Sequence, residues 1–285
     1  MKLVLKHPEE VINKRLTVNN KKTPCLDSSW HYHAQYELIY ISVSHGIRFV
    51  GDSVSQFSPG DLVLVGPYLP HLWLNKPSDD KEINNEKVNT IILKFTEDFI
   101  GKDTFDNPEF FKIKKMFEQS KYGISFGNNV SHKLHQELMN FKKLSSTEQS
   151  IRLLSILNDL SLTKDKEILS STDMRQYTSE NSDKIDTVLK YISDNYANNI
   201  SLEDVSNIAC MTTNSFCRFF KKTTNKSFTQ FLNEVRIRNA SRYLVQNNLS
   251  VSEVSYLVGY NSITNFNKQF KQIMGSTPKS YREAI

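Results

Sequence analysis

The sequence has few cysteines and no long hydrophobic run. Its 285 residues include three cysteines, Cys25, Cys210 and Cys217, whose odd number and irregular spacing argue against a disulfide framework or a metal or redox motif. No apolar stretch approaches the length of a membrane-spanning helix. Residues 1–8 contain too few apolar side chains for a signal peptide. We therefore expect a cytoplasmic protein with no membrane partner.

The first 180 residues have no excess of either charge. Residues 181–285 hold 13 Lys and Arg against 8 Asp and Glu, a net charge of +5 that equals the formal net charge of the whole chain. The rest of the chain is therefore neutral in sum. Because a phosphate-binding surface needs positive charge, this segregation favours nucleic-acid binding by the last hundred residues.

One helix-turn-helix pattern occurs twice in those last hundred residues. The copies begin at Ser201 and Ser250, are 49 residues apart before the turn and 50 apart after it, so the second turn holds one extra residue. The matched pairs are Val205 with Val254, Ile208 with Leu257, Arg218 with Lys268, Phe220 with Phe270, Lys221 with Lys271, and Asn225 with Gly275. Two small helical units that each present a basic second helix predict a protein that reads DNA.

Local signals support helices in both copies. A serine with an acid three residues later predicts a capping box at Ser201–Asp204 and again at Ser250–Glu253. Gly259 suits the turn, because glycine adopts positive φ without strain. The second helix of the first copy is expected to be capped by Thr212 or Thr213, and that of the second copy by Asn261 or Ser262.

The outward face of each second helix is the expected DNA-contacting surface. In the first copy it comprises Thr213, Asn214, Cys217, Arg218, Lys221 and Lys222, and in the second copy Ser262, Thr264, Asn265, Lys268 and Lys271. Residues 228–247 form one amphipathic helix between the copies, roughly 30 Å long. That length is close to one DNA turn of about 34 Å, so the two faces can enter successive major grooves. A helical bundle without a ligand would need neither the repeat nor the matched basic residues.

These residues resemble the AraC/XylS family of bacterial transcription regulators. The resemblance spans about residues 184–282 and is carried by residues 219–222 (FFKK), 231–236 (FLNEVR), Ala240, Leu244, Val254, Gly259, Tyr260, Phe266, Phe270, Lys271 and 275–282 (GSTPKSYR). Cys210 departs from the small residue usual at its position. The resemblance implies a sequence-specific regulator, more often an activator, with an effector or dimerisation domain in front. It also implies promoter DNA, RNA polymerase, a small-molecule effector and a second copy of the chain as partners.

The first half of the chain predicts short β-strands followed by helices. Strands are expected at residues 36–43, 46–52, 54–57, 62–65 and 90–95, which suits a small antiparallel barrel or a double-sheet sandwich. Residues 129–143 and 147–162 are expected to form an antiparallel helix pair. The polar stretch after that pair is typical of a linker.

His31, His33, Glu37 and His71 form a candidate site in this half. If residues 31–37 are extended, three of these side chains share one face, and imidazoles with a carboxylate suit a transition metal. Their spacing, with Gly60, Asp61 and Pro67, resembles the two cupin motifs, and a cupin barrel is the usual front domain of many members of the AraC/XylS family. Aromatic residues surround the same segment and suit a small polar ligand equally well, or plain core packing. They are Trp30, Tyr32, Tyr36, Tyr68 and Trp73.

We therefore predict a multidomain α+β protein. Residues 1–165 would form a cupin-like effector-binding or dimerisation domain with a helical hairpin, residues 166–182 a linker, and residues 183–285 an all-α domain with two helix-turn-helix units. The expected ligand-binding residues are Trp30, His31, His33, Glu37, His71 and Trp73. We expect a homodimeric transcription regulator, not an enzyme, that responds to a polar ligand such as a sugar and has no resident cofactor. The alternatives are a metal-dependent cupin enzyme with a DNA-binding tail and a regulator whose front domain only dimerises.

Overall fold

The chain divides into two compact units, described here from a computed structural model. One is formed mainly by residues 3–180 and the other mainly by residues 181–285; we call them the amino-terminal and carboxyl-terminal domains. The structure describes residues 15–23, 26, 30–75, 88–177, 182–246 and 249–283. Cys25 and part of the predicted linker, residues 178–181, lie outside that description. None of the described helices combines the length and apolar character needed to cross a bilayer.

The amino-terminal domain contains two β-sheets. A six-stranded sheet has the order β1-β7-β2-β5-β8-β9, and a three-stranded sheet the order β4-β3-β6. The strands are β1 Leu16–Thr23, β2 Tyr36–Val43, β3 Gly46–Val50, β4 Ser53–Phe57, β5 Leu62–Val65, β6 His71–Asn75, β7 Val88–Phe95, β8 Ile124–Phe126 and β9 Lys166–Ile168. This confirms a sheet-rich domain, while its membership of the cupin fold stays a prediction.

Alternation along β2 separates two hydrophobic cores, because successive side chains of a strand point to opposite faces. Leu38 and Tyr40 belong to a core that also contains helical residues such as Leu153. Ile39 and Ile41 belong to a second core, which includes Trp73 of the three-stranded sheet. The odd-numbered face of β2, on which Glu37 lies, is therefore the face turned toward the smaller sheet.

Three helices cover the outer face of the large sheet. They are α1 Phe111–Gln119, α2 Asn128–Asn140 and α3 Ser146–Leu162. Helices α2 and α3 correspond to the helices predicted at residues 129–143 and 147–162. The hairpin expected between them is not the main contact, however, since α3 packs against α1 and α2 packs against β2. The prediction did not single out α1, although its buried residues Ile113, Met116 and Phe117 have helical spacing.

The predicted linker boundary is wrong at its start. Lys166–Ile168 forms β9, which pairs antiparallel with β8, and Ser170 and Met174 farther along are buried. The hydroxyl of Ser170 donates to Asp52 at 2.9 Å, so this stretch belongs to the amino-terminal domain. Strand β9 lies at the edge of the large sheet, where backbone hydrogen bonds hold a strand and few apolar side chains are needed. Its polar composition therefore suggested a linker.

The carboxyl-terminal domain contains seven helices among its described residues. They are α4 Ser182–Asn195, α5 Leu202–Ile208, α6 Thr213–Thr224, α7 Phe228–Gln246, α8 Val251–Leu257, α9 Ile263–Met274 and α10 Pro278–Glu283. Helices α5 and α6 form the first helix-turn-helix unit, and α8 and α9 the second. The starts of α5 and α8 are 49 residues apart and those of α6 and α9 are 50 apart, which places the inserted residue at Asn261.

The predicted caps are present. Capping boxes form at Ser201–Asp204 and Ser250–Glu253, Thr212 caps α6 and Ser262 caps α9. Leu257, matched with Ile208 as an apolar position, is 46 % exposed, so it does not contribute to the core as its spacing suggested.

Candidate functional site

Helix α6 is divided into a buried and an exposed face. Phe216 and Phe220 are fully buried and contact the ring of Phe228 at the start of α7, with centroid distances of 6.3 and 6.2 Å. The predicted contact residues all lie on the exposed side: Thr213, Asn214, Cys217, Arg218, Lys221 and Lys222. The two phenylalanines therefore fix which side of α6 a ligand can reach.

Helix α9 repeats this division. Phe266 and Phe270 are buried, and their rings contact Tyr260 and Tyr281, respectively, at 5.4 and 5.6 Å. The predicted residues Ser262, Thr264, Asn265, Lys268 and Lys271 are all exposed. The hydroxyl of Ser262 accepts a bond from the backbone N–H of Asn265 at 3.4 Å, so its first role is structural.

Sequence reasoning missed two amides on α9. Asn267 and Gln272 are exposed beside Lys268 and Lys271, and amide side chains can bond adenine edges or phosphates. The signal was available, because both residues fall between the buried positions of a 3.6-residue period.

The two exposed faces are free of negative charge. Helices α6 and α9 contain no Asp or Glu, whereas Asp204 and Glu253 lie in the first turns of α5 and α8. Hydrogen bonds from Ser201 hold the pKa of Asp204 below its usual value, and those from Ser250 do the same for Glu253. These two acids therefore stabilise the starts of α5 and α8. No acid on α6 or α9 neutralises the lysines and the arginine of those two helices.

The four predicted polar residues of the amino-terminal domain do come together. His31 and His71 form a two-stranded bridge, with His71 N donating to His31 O at 2.9 Å. Their ring centroids are 4.3 Å apart, and the ring of His33 is 5.2 Å from that of His71. One ligand-type atom from each of His31, His33, Glu37 and His71 lies within 4.8 Å of the others.

Lys94 completes this cluster and was not predicted. Glu37 on β2 pairs with Lys94 on β7 in the sheet register, and Lys94 Nζ lies 2.8 Å from Glu37 Oε2. His33 Nε2 is hydrogen-bonded to the same oxygen at 2.5 Å. Burial favours a raised pKa for Glu37, but His33, His71 and the Lys94 ammonium outweigh it and hold that pKa well below its usual value. The buried carboxylate of Glu37 is therefore already paired with a cation, the ammonium of Lys94.

The cluster has two features that are typical of a metal site and one that disfavours metal binding. Nδ1 of His71 donates to Leu69 O at 2.8 Å, and Nδ1 of His33 lies 3.0 Å from Gln35 O. Such carbonyl contacts orient imidazoles that bind metals. Lys94, however, already supplies the positive charge beside Glu37. The residues that could hold an ion are thus His31, His33, Glu37 and His71, in competition with this ammonium.

The predicted aromatic residues divide between the two faces of the large sheet. Trp30 and Trp73 are buried, and the Trp73 ring lies 5.9 Å from that of His71. Tyr36, also expected near the cluster, instead stacks on Phe95 at 5.4 Å among the residues that face the helices. Strand alternation explains the difference, since residues 36 and 37 point to opposite sides.

Comparison with known proteins bears on the carboxyl-terminal domain. A family model described as a helix-turn-helix domain matches residues 205–284. The HTH-type transcriptional regulator YdeC of Bacillus subtilis is 33 % identical over 102 residues, which are 36 % of this chain and 35 % of YdeC. The carboxyl-terminal domain is an AraC-type helix-turn-helix domain.

Two relatives match more of the chain, at lower identity. The Msm operon regulatory protein of Streptococcus mutans is 26 % identical over 61 % of this chain and 57 % of its own length. YisR of Bacillus subtilis, named an HTH-type transcriptional regulator, is 24 % identical over 88 % of this chain and 86 % of its own length. The chain thus spans between a third and three fifths of YdeC and the Msm protein.

The turns of the two units differ within the AraC-type domain. Cys210 has φ of 52° and is exposed, and Gly259 occupies the matching position with φ of 89°. A Cβ on Gly259 would lie 2.6 Å from the backbone oxygen of Ala197. The first turn therefore has room for a side chain, at the cost of a left-handed backbone, whereas the second turn does not.

Proposed function

We propose that this protein is a DNA-binding transcription regulator whose AraC-type domain contacts two adjacent segments of double-stranded DNA through α6 and α9. The observation that carries the proposal is the pair of exposed, acid-free recognition faces, repeated on the two units. Arginine can bond guanine in bidentate fashion and asparagine can bond adenine. Arg218, Asn214 and Asn265 are thus the proposed base-contacting residues, and Lys222 and Lys271 the proposed phosphate contacts.

Gel shifts with three single-alanine variants test this assignment. Arg218→Ala should weaken binding to a selected site by about 1–3 kcal/mol and relax preference at one base pair. Lys222→Ala should weaken binding to selected and random DNA alike and reduce the slope of log affinity against log salt by about one. Lys190→Ala removes the same charge from α4, where Lys190 lies 3.5 Å from Asp194, and should leave the preferred sequence unchanged. Equal losses on selected and random DNA for Arg218→Ala would contradict the base-contacting role.

We further infer that the amino-terminal domain senses a small effector through the cluster around Glu37. Among the described residues, neither His71 Nε2 nor Trp73 Nε1 has a hydrogen-bond partner, although both atoms are buried. Nδ1 of His71 already donates to a carbonyl, so Nε2 is the ring nitrogen available to a ligand, and the indole N–H is a donor. Buried polar atoms normally have partners, and a hydroxyl group can satisfy both. A polyhydroxylated compound such as a sugar is therefore the favoured effector class.

A thermal-shift screen with sugars and sugar alcohols, followed by a reporter titration, tests the effector proposal. Glu37→Gln should shift the effector dose-response of promoter activity, because the amide cannot keep both His33 and Lys94 in place. The same variant should leave DNA binding without effector unchanged. Absence of any stabilising compound, together with an unchanged dimer in Glu37→Gln, would favour a domain that only dimerises.

A metal-dependent enzyme is the second candidate, favoured by the carbonyl contacts of His33 and His71. Metal analysis of purified protein, with and without Lys94→Met, separates it from the effector proposal. Stoichiometric iron, manganese or zinc in the wild type, together with turnover of a substrate, would favour the enzyme. Metal binding in Lys94→Met but not in the wild type would support the view that the Lys94 ammonium takes the place of a metal ion beside Glu37.

A further inference from the structure

Arg236 connects the segment that precedes the first helix-turn-helix unit with the turn of the second unit. Its Nε donates to Tyr196 O and one terminal nitrogen to Asn198 O, each at 2.8 Å. These carbonyls lie in the connection between α4 and α5, which leads into the first unit. The guanidinium also lies over the ring of Tyr260, 5.6 Å from its centroid, and Tyr260 belongs to the turn of the second unit.

Two further contacts hold the turn of the second unit at the same place. The hydroxyl of Tyr260 donates to Asn233 Oδ1 on α7 at 2.9 Å. Gly259 lies so close to the α4–α5 connection that a Cβ would meet Ala197 O at 2.6 Å and Tyr196 O at 3.0 Å. We call residues 196–198, Asn233, Arg236 and residues 259–260 the junction.

Arg282 on α10 makes a similar pair of backbone bonds, at the end of α7 and ahead of α8. Its Nε donates to Leu244 O at 3.0 Å and a terminal nitrogen to Leu249 O at 2.6 Å. Leu244 lies in the last turn of α7, and Leu249 lies just before the start of α8. Arg236 and Arg282 thus bind backbone in the same way. Among the described contacts, Arg236 alone of the two also meets the turn of the second unit, and so links that turn to the segment before the first unit.

We propose that Arg236 is a positioning residue for DNA reading, which fixes the orientation of α9 relative to α6 and thereby the spacing of the two DNA segments. This rests on the proposed function of the AraC-type domain. Two linked contacts gain affinity through effective concentration only when their geometry permits simultaneous binding, typically by about 10²–10⁴-fold. A looser junction therefore lowers the affinity gained from simultaneous binding. It also allows the domain to bind DNA segments at more than one spacing.

Spacing preference is the first test. A preferred DNA site is selected with the full-length wild type, and probes are made with one base pair removed or added between its two contacted segments. Arg236→Ala should lower affinity for the preferred spacing roughly tenfold, and its ratio of affinities between preferred and shifted probes should fall toward one. Arg236→Lys, which keeps the charge but not the forked geometry, should show the same change to a smaller extent.

Arg282→Ala is the matched control. It loses the same kind of backbone bonds, so its thermal stability should fall, yet its spacing ratio should stay that of the wild type. A wild-type ratio in Arg236→Ala, or an equal loss of ratio in both variants, would overturn the proposal.

A distance measurement tests the junction without DNA. The measurement uses the full-length protein with Cys25→Ser, Cys210→Gly and Lys268→Cys. Spin labels are attached to Cys217 of α6 and to the new thiol on α9. Pulsed electron paramagnetic resonance then reports the distance between the two helices. Labelled chains are diluted with unlabelled protein so that pairs within one chain dominate. Arg236→Ala should broaden the distance distribution and Arg282→Ala should not.

The two tests fail in different ways. Failure of the wild type to bind any DNA would remove the proposed function but leave the distance measurement informative about the junction. An unchanged distance distribution in Arg236→Ala would overturn the positioning role even if the wild type binds DNA as proposed.

Discussion

Replacing Gly259 with alanine tests how tightly the turn of the second helix-turn-helix unit packs against the α4–α5 connection. Gly259 has φ of 89°, and an added Cβ would lie 2.6 Å from Ala197 O, a backbone atom. Gly275, at the end of α9, has φ of 78° and no heavy atom within 4 Å of the same added carbon. The two substitutions therefore impose the same kind of backbone strain, and only the first adds a steric clash.

The expected losses follow from those two contributions. A left-handed non-glycine residue costs about 1–2 kcal/mol, and alanine recovers roughly 0.4–1 kcal/mol by restricting the unfolded chain. Gly275→Ala should therefore cost about 1 kcal/mol. Overpacking against a rigid neighbour typically adds about 1–3 kcal/mol, so Gly259→Ala should cost about 2–4 kcal/mol.

Urea unfolding of the full-length chain gives these values. Far-UV circular dichroism follows the helices, and tryptophan fluorescence separately follows the amino-terminal domain, since both tryptophans, Trp30 and Trp73, lie there. Hydrogen exchange of α8 and α9 amides locates the loss. We expect faster exchange in these helices for Gly259→Ala, with an unchanged fluorescence transition.

Equal free-energy losses in the two alanine variants would refute this reasoning, because the clash with Ala197 would then cost nothing. A larger loss for Gly275→Ala would refute it more directly. Either result would also weaken the junction as the element that orients the two units.

Three further predictions concern the carboxyl-terminal domain. Cys210→Gly should stabilise it by up to about 1 kcal/mol in urea unfolding, because relief of a left-handed backbone, about 1–2 kcal/mol, exceeds the roughly 0.5–1 kcal/mol entropic cost of glycine; a loss of stability would show that the thiol itself makes a needed contact. The pKa of Glu253 is lowered by its bonds from Ser250, so its capping contribution is complete above its unfolded pKa of about 4.3 and is lost as pH falls through the folded pKa. Acidification should therefore speed hydrogen exchange in α8 more in the wild type than in Glu253→Gln, and identical pH profiles would argue against the ionised cap. Residues 181–285 expressed alone should give a helical, cooperatively unfolding monomer that binds DNA more weakly than the full chain, whereas a fragment without helical circular dichroism would show that the domain needs the rest of the protein.

The sequence by itself determined the parts of this protein that depend on neighbours along the chain. The capping boxes at Ser201 and Ser250, the limits of α7 and the exposed faces of α6 and α9 all follow from spacing within one helix. The repeat made the helix-turn-helix predictions twice. The change of offset alone placed one inserted residue in the second turn, and the structure located it at Asn261. Local rules suffice in these places because a helix satisfies its own backbone and buries one face at a fixed period.

Contacts between distant segments were decided only by the tertiary structure. Lys94 joins the cluster around Glu37 because β7 pairs with β2 in one register, and no spacing in the sequence expresses that pairing. Residues 166–168 have a linker's composition but form a strand because β8 offers an unpaired edge. Cys210 and Gly259 occupy matching positions, yet only the second must be glycine, since Ala197 lies against the second turn. Sheet register and packing between units arise from partners far apart in the chain, which is why local periodicity could not reveal them.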